Sequence, residues 1–309
     1  MVLCSICSKR ESVVRIYYDK TDLCKACFCL RFEKRVMKAN REFNLLKRGD
    51  VVAVGISGGK DSAAMLYVLS KMAKKIGGIT LKPILIDEGI QGYRNEAMEK
   101  AKELCDSLKL PLQVFSYKKE FGLSMDEAIK SRDEKKLSNK SCSFCGVFRK
   151  SLLNKAARAA GANKAAIGHN ADDIGQTFLM NLMRSDVKRL KKFGAVSGLF
   201  EQDLFVKRIK PLIYNTEREC ALYCSLKNLP FYLGECPYSS ESFRGLVKDF
   251  LNTAEQKHPG TKFAVLNSFL SLQEELDTPE KQEPKKCIKC GENTSSETCK
   301  ACSFSKLLT

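Results

Sequence analysis

Unbroken apolar runs and longer amphipathic stretches alternate through the middle of the chain. "VVAVGI" (51–56) has no polar position and predicts a strand buried on both faces. "ITLKPILID" (79–87), "LQVFSY" (112–117) and "NKAAIGH" (163–169) predict further strands. Between them the period lengthens to that of a helix. "KDSAAMLYVLSKMAKKIG" (60–77) carries an apolar stripe through Ala64, Leu66, Tyr67 and Met72 and stops at Gly77, a residue suited to a helix end. "NEAMEKAKELCDSLKL" (95–110) stops before Pro111, and "GVFRKSLLNKAARAAG" (146–161) and "NADDIGQTFLMNLMR" (170–184) complete the set. Repeated strand–helix units predict an α/β fold with a parallel sheet covered on both faces. Ligands of such sheets sit at the carboxyl ends of the strands, where "SGGKDS", "DEG" and "GHNADD" all fall. Beyond Lys207 the pattern is mostly helical, over "NTERECALYCSLKNL" (215–229) and from Ser242 to about Leu276, with "LPFYLG" (229–234) strand-like between.

The two ends depart from this pattern. Cys4-x-x-Cys7 is followed after sixteen residues by Cys24-x-x-Cys27, with "SVVRIYYDK" (12–20) between them as a short hairpin. Cys287-x-x-Cys290 is followed after eight residues by Cys299-x-x-Cys302, behind the polar linker "DTPEKQEPKK" (277–286). Each end offers four thiolates in two pairs, the pattern of a tetrahedral structural Zn²⁺ site, so two Zn²⁺ ions are expected. A metal closes segments too small to own a core; redox disulfides are the competing use of the same thiols. The expected division is a zinc finger at 1–30, a catalytic part at 31–276, and a linker with a second finger at 277–309.

Composition narrows the setting. Lys and Arg number 53 against 36 Asp and Glu, a net charge of +17. That balance suits a polyanionic partner such as nucleic acid, and equally a lysine-rich surface. With 44% hydrophobic residues the chain has material for a core. No long apolar run and no signal-peptide pattern is present, so a cytoplasmic protein without a membrane partner is expected. Fifteen cysteines there point to metal ligands or reactive thiols.

"SGGKDS" (57–62) is the candidate phosphate cradle. It is neither GxxxxGK[ST], since Asp61 follows Lys60, nor GxGxxG. In a strand-to-helix turn, Gly58 and Gly59 let backbone amides approach an anion. Ser57 and Ser62 add hydroxyls and Lys60 a positive charge. Asp61 would repel phosphate directly, so its use is through Mg²⁺. The motif resembles the signature of the PP-loop ATP pyrophosphatases (the adenine nucleotide alpha hydrolase-like fold), which release pyrophosphate from ATP and transfer AMP to a substrate oxygen.

In "KSCSFCGVFRK" (140–150), Cys142 and Cys145 stand at the head of a helix with Arg149 and Lys150 one turn on. Both effects favour thiolate. A redox pair, a persulfide carrier and a metal or cluster site all remain open on spacing alone. Cys29, Cys105, Cys220 and Cys224 are left over; Cys105 and the Cys220/Cys224 pair fit core positions. With "GHNADD", "NLMRSDVKRL", "RIKPL" and "GECPYSS" in order along the chain, the whole resembles the TtcA/TtuA class of tRNA 2-thiouridine synthetases, in particular the branch with TtuA and the archaeal and eukaryotic cytosolic thiouridylases.

That resemblance implies a third thiol, for which Cys236 is the candidate, and a [4Fe–4S] cluster on Cys142, Cys145 and Cys236. Three protein thiolates would leave the fourth iron open. It implies a catalytic Asp173 and a catalytic basic residue at Arg149, where the family often carries lysine; Lys150 is the fallback. It places Ile86 and Asp87 at the adenine and ribose pocket, and Gly168, His169 and Asp172 near ATP. A helix cap is the competing use of Asp172 and Asp173. The basic run Arg184–Lys192 would track tRNA phosphates. The implied reaction adenylates the C2 oxygen of a wobble or T-loop uridine and replaces it with sulfur from a thiocarboxylated ubiquitin-like protein or free sulfide. A homodimer is implied as well. Persulfide chemistry without a cluster, a PP-loop synthetase of a small molecule, and a non-catalytic zinc-knuckle RNA binder are the alternatives. The small-molecule synthetase predicts no affinity for tRNA and no iron. The RNA binder predicts tRNA binding without pyrophosphate release.

Overall fold

The computed structural model describes residues 2–191, 193–197, 206–275, 285–294 and 296–309. An antiparallel pair, β1 (Val14–Ile16) and β2 (Thr21–Leu23), precedes α1 (Lys25–Phe43). The central part follows as β3 (Val51–Ile56), α2 (Lys60–Ile76), β4 (Thr80–Asp87), α3 (Arg94–Ser107), β5 (Gln113–Ser116), α4 (Tyr117–Phe121), α5 (Met125–Glu134), α6 (Ser141–Ala159), β6 (Lys164–Ala166) and α7 (Ala171–Leu182). Then come α8 (Val187–Lys191), β7 (Val196–Ser197), β8 (Lys207–Ile209), α9 (Glu217–Leu226), α10 (Phe243–Lys257) and α11 (Thr261–Glu275). The last elements are β9 (Lys285–Lys286), β10 (Asn293–Thr294) and α12 (Lys300–Leu308).

Six strands form one sheet in the order β5-β4-β3-β6-β8-β7. All neighbours run parallel except the edge pair β7–β8. Consecutive residues serve opposite faces, as the pleat requires. Val52, Val54, Leu81, Leu85 and Ala166 join the core under α2 and α3; Ala53, Ile84, Ile86 and Ala165 join the core under α6. Burial on both faces is why "VVAVGI" has no polar position. Strand order reverses at β3, which pairs with β4 on one side and β6 on the other. The crevice above that reversal is the place a ligand is expected.

Beyond Lys207 the chain is mostly helical, as expected, in α9, α10 and α11, but Lys207–Ile209 first extends the sheet beside β6, and β7 pairs with it. A three-residue strand ending before Lys210-Pro211 is too short to show a period. "LPFYLG" forms no regular strand; it makes one parallel bridge, Gly59 to Tyr232. Lys192 of the basic run and most of the 277–286 linker lie outside the described residues.

At the opposite end of the strands, Asp50 and Lys164 form a buried ion pair at 2.8 Å. Asp50 also accepts from the Lys47 amide at 2.8 Å and Asn163 Nδ2 at 3.0 Å. Burial pushes its carboxyl up, but Lys164, the Lys47 amide and Asn163 more than offset this and hold it below the usual carboxylate value. The contribution is therefore present at neutral pH and lost as the pH falls through the depressed value. Breaking a buried pair from one side leaves an uncompensated charge, so Asp50→Ala is expected to cost about 3–5 kcal/mol in a urea titration at pH 7.

Candidate active site

The loop between β3 and α2 closes on itself. Ser62 Oγ donates to the Gly59 carbonyl at 2.9 Å and accepts from the Ser57 amide at 3.2 Å. The two hydroxyls lie 3.1 Å apart. Gly58 has φ +88°, and a Cβ there would stand 2.0 Å from the Ala97 carbonyl oxygen of α3, so backbone approach requires glycine. Gly168 lies over the same turn, where a Cβ would meet the Ser62 amide nitrogen at 3.2 Å. The "GHNADD" loop after β6 is thus laid on the phosphate loop.

Lys60 Nζ lies 3.0 Å from Glu217 and 3.4 Å from Asp61. Asp61 accepts from Asn170 Nδ2 at 2.9 Å, and burial raises its carboxyl. A carboxylate held at the base of a phosphate cradle matches the hard oxygen donors of Mg²⁺. Asn170 caps α7 in a reciprocal box: its side chain accepts from the Asp173 amide at 3.1 Å, and Asp173 accepts from the Asn170 amide at 3.2 Å. Asp173 therefore has a capping contact and still faces the cleft, where Arg244 approaches at 3.4 Å. Burial lifts its carboxyl to about 6 despite Arg244, with Asp61 contributing in the same direction.

Asp172 is turned elsewhere. It is buried, accepts from the Glu217 amide at 2.8 Å, and pairs with Lys262. Asp87 accepts from the Gly89 amide at 2.9 Å in a local turn, and the Ile86 carbonyl is engaged by Arg94. His169 remains in the cleft. Burial and then Lys210, Arg244, Lys150 and Arg149 lower its imidazole to about 3, so it is neutral at physiological pH. The same excess of positive charge acts on Lys210, which burial and then Arg208 and Lys150 lower to about 7.

Cys142 and Cys145 lie in the first turn of α6, with Phe144 between them fully buried. Phe144 meets Phe304 of α12 edge to face at 4.7 Å, so the C-terminal module buttresses the thiol-bearing turn. Cys236 arrives on the segment after Tyr232. Glu241, just beyond it, accepts from the Ser141 amide at 2.9 Å, satisfying a free donor at the head of α6, and pairs with Arg132 at 2.9 Å. Cys142 Sγ lies 3.8 Å from the Tyr238 carbonyl. Arg149 Nη2 donates to Cys145 Sγ at 3.1 Å, while Lys150 belongs to the group around Arg208, Arg189 and Arg244. The expectation of a low Cys142 value needs correction: burial and the neighbouring Cys145 push it up, and burial likewise pushes up Cys236.

The terminal quartets are tighter. Within each of Cys4/Cys7/Cys24/Cys27 and Cys287/Cys290/Cys299/Cys302 all sulfurs lie within 4.8 Å of one another. Cys7 and Cys24 are 3.9 Å apart and Cys290 and Cys299 3.7 Å. A tetrahedron with Zn–S bonds of about 2.3 Å has edges of about 3.8 Å, so both donor sets fit one ion each. Backbone amides, chiefly those of Cys24 and Cys299, lower Cys4 and Cys287 to about 6. Among the described residues the Cys142/Cys145/Cys236 trio forms no group that compact. Wider spacing suits a polynuclear cluster, whose irons each take one thiolate. Cys29, Cys105, Cys220 and Cys224 are buried, as core thiols are expected to be. Sequence reading missed Glu88, Arg94, Glu217, Glu241 and Arg244; Glu88 was visible inside "DEG", but nothing local marked its partners.

Loop, sheet and cleft together define a PP-loop nucleotide-binding domain, and residues 30–255 match the PP-loop domain family. A probable sulfurtransferase of Methanocaldococcus jannaschii is 39% identical over 93% of this chain and 83% of its own. The tRNA 2-thiolation protein NcsA of Haloferax volcanii is 36% identical over 97% of both chains. Cytoplasmic tRNA 2-thiolation protein 1 of Danio rerio is 36% identical over 97% of this chain and 87% of its own. The U34-tRNA thiolase NcsA from Methanococcus maripaludis, solved with its [4Fe-4S] cluster, superimposes with a TM-score of 0.84 at 33% identity, over 99% of this chain and 96% of that one. The chain belongs to the PP-loop family of tRNA 2-thiolation proteins. No helix among the described residues is long and apolar enough to cross a membrane.

The raised Asp173 carboxyl has a measurable sign. Its charge costs folded-state stability that is absent below about pH 4 and fully present above about pH 6. Asp173→Asn is expected to match the native melting temperature near pH 4 and to exceed it increasingly up to about pH 6–7. Thiolation activity is expected to fall in the same variant. Calorimetry across this pH range reads the difference directly.

Proposed function

We propose that the protein is an ATP-dependent tRNA-uridine 2-sulfurtransferase in which both half-reactions occur in the one cleft. The observation that supports this most strongly is the backbone hydrogen bond from the Tyr232 amide to the Gly58 carbonyl at 2.8 Å. It ties the segment bearing Cys236 to the phosphate loop.

Mg-ATP would lie with its β- and γ-phosphates on the amides of Ser57–Ser62 and its metal at Asp61. The C2 oxygen of the uridine attacks the α-phosphorus. The bond to the leaving pyrophosphate breaks, and Lys60 with the loop amides takes up the charge. The C2 oxygen now carries AMP, a far better leaving group than hydroxide. Sulfur attacks C2, the C2–O bond breaks, AMP departs, and C2 is left doubly bonded to sulfur. Asp173 faces the reacting nucleotide, and Arg149 holds the thiol end of the cleft. A [4Fe–4S] cluster on Cys142, Cys145 and Cys236 would supply a place to hold the sulfur that is delivered. The two quartets would each hold a structural Zn²⁺.

The partners follow the same reading. A tRNA substrate suits the net charge of +17, the grouping of Lys150 with Arg208, Arg189 and Arg244, the further α8 lysines Lys188 and Lys191, and Arg184 stacked 4.7 Å over Phe243. The uridine must be unstacked, which favours a loop nucleotide at the wobble position or in the T-loop. A thiocarboxylated ubiquitin-like protein or free sulfide serves as donor. A cytoplasmic homodimer with units at 1–30, 31–276 and 277–309 completes the proposal. Val2, Leu3, Ile6 and Val13, each more than half exposed on the first module, support an interface there. Helix α1 continues across residue 30, so the first unit is fused to the second.

Anaerobically reconstituted protein is expected to show broad brown absorption, and Cys142→Ala to lose both the absorption and 2-thiouridine formation while still releasing pyrophosphate from Mg-ATP and unmodified tRNA. Failure of the native protein to release pyrophosphate would overturn the reading. An active but colourless protein would remove the cluster and leave persulfide chemistry. Changing Lys188 and Arg189 to Gln is expected to lower the slope of log affinity against log salt by about one for each phosphate that the two side chains neutralise.

A further inference from the structure

A row of charged groups joins the phosphate loop to the thiols, and neither the loop motif nor the cysteine spacing calls for it. Glu88, one residue past β4, is 4% exposed. Its Oε1 lies 3.0 Å from Arg149 Nε and its Oε2 lies 2.9 Å from Arg94 Nε. The second contact is an ion pair in which the N–H is not aimed at the oxygen, so Oε2 accepts no aligned hydrogen bond. Arg94, also buried, donates to the Ser57 carbonyl at 3.0 Å and to the Ile86 carbonyl. Arg149 donates its remaining edge to Cys145 Sγ at 3.1 Å. The row runs from the Ser57 carbonyl through Arg94, Glu88 and Arg149 to the Cys145 sulfur.

Burying a carboxylate is strongly unfavourable unless charge and hydrogen bonds compensate it, and here two guanidinium groups flank one carboxylate. The arrangement carries one net positive charge, and the exposed end of it faces sulfur. The backbone under Glu88 is also held. Its carbonyl accepts from the Met125 amide at 2.7 Å, and Gly89 turns at φ +69° where a Cβ would stand 2.7 Å from Ser124 Cβ. A long, half-exposed Arg149 would otherwise sample many rotamers. Glu88 removes that freedom at one end and takes its own bearing from the phosphate loop at the other.

We infer that Glu88 is a positioning residue: it holds the Arg149 guanidinium against the Cys145 sulfur and anchors it, through Arg94, to the loop that receives the phosphates of ATP. The inference rests on the reading of Cys142, Cys145 and Cys236 as cluster ligands. Positive charge and hydrogen bonds at a ligating sulfur favour the more electron-rich state and raise the reduction potential.

The test is a double-mutant cycle on anaerobically reconstituted full-length protein, read by redox titration of the cluster and not by activity. Arg149→Gln and Glu88→Asp, the second of which keeps the charge but withdraws it by one methylene, are each expected to shift the midpoint potential to more negative values, Glu88→Asp by less. The double variant is expected to shift no further than Arg149→Gln alone. A native potential in Glu88→Asp, or shifts that add in the double variant, would overturn the inference while leaving the cluster in place. A native protein that takes up no iron would refute the cluster reading and this role of Glu88 with it.

Discussion

One peptide hydrogen bond, from the Tyr232 amide to the Gly58 carbonyl, sets the relation between two chemistries that must meet at a single carbon. Gly58 can make it because its backbone has no side chain to collide with α3 and because it adopts a positive φ. On one side of the bond lies a turn shaped for phosphate, and on the other a segment that delivers Cys236. Glu241 then fastens that segment to the head of α6, where Cys142 and Cys145 stand. A uridine that has gained AMP on its oxygen is open to hydrolysis, so the sulfur end has to be in place before the base is activated. A fixed frame answers that need better than two mobile halves.

The electrostatics of the cleft follow from the same geometry. Loops after β3, β4 and β6 converge at the strand reversal and leave a crevice lined by more cations than anions. Burial first, and then that excess, keep His169 neutral and lower Lys210. An anionic nucleotide and a polyanionic RNA relieve it on binding. Asp61 and Asp173 are the exceptions, and their raised carboxyls mark where a divalent cation would be most strongly favoured.

What was legible in the chain beforehand was what is local. "VVAVGI" appears as the strand Val51–Ile56, Gly77 ends α2, and both cysteine quartets close at tetrahedral spacing. The Ser57–Ser62 turn could be read because glycine, hydroxyl and charge occur within six residues. The long-range contacts could not. Glu88 meets Arg94 and Arg149 at sequence separations of six and sixty-one, and only folding makes them neighbours. Arg244 and Glu217 come from the helical region, where one charged residue on a helix face looks like any other. Strand β8 was missed because three residues cannot establish a period, and "LPFYLG" looked like a strand because a single bridge to the phosphate loop uses the same apolar composition.

The most direct test of the shared frame is a single-turnover pulse-chase. Enzyme, Mg-ATP and labelled unmodified tRNA are mixed without a sulfur source, then chased with sulfide and a large excess of unlabelled tRNA. If both steps occur in one fixed cleft, the labelled, adenylated tRNA is expected to become 2-thiolated before it dissociates, whatever the excess of competitor. Labelled tRNA released unthiolated into the competitor pool, with AMP lost to water, would contradict it.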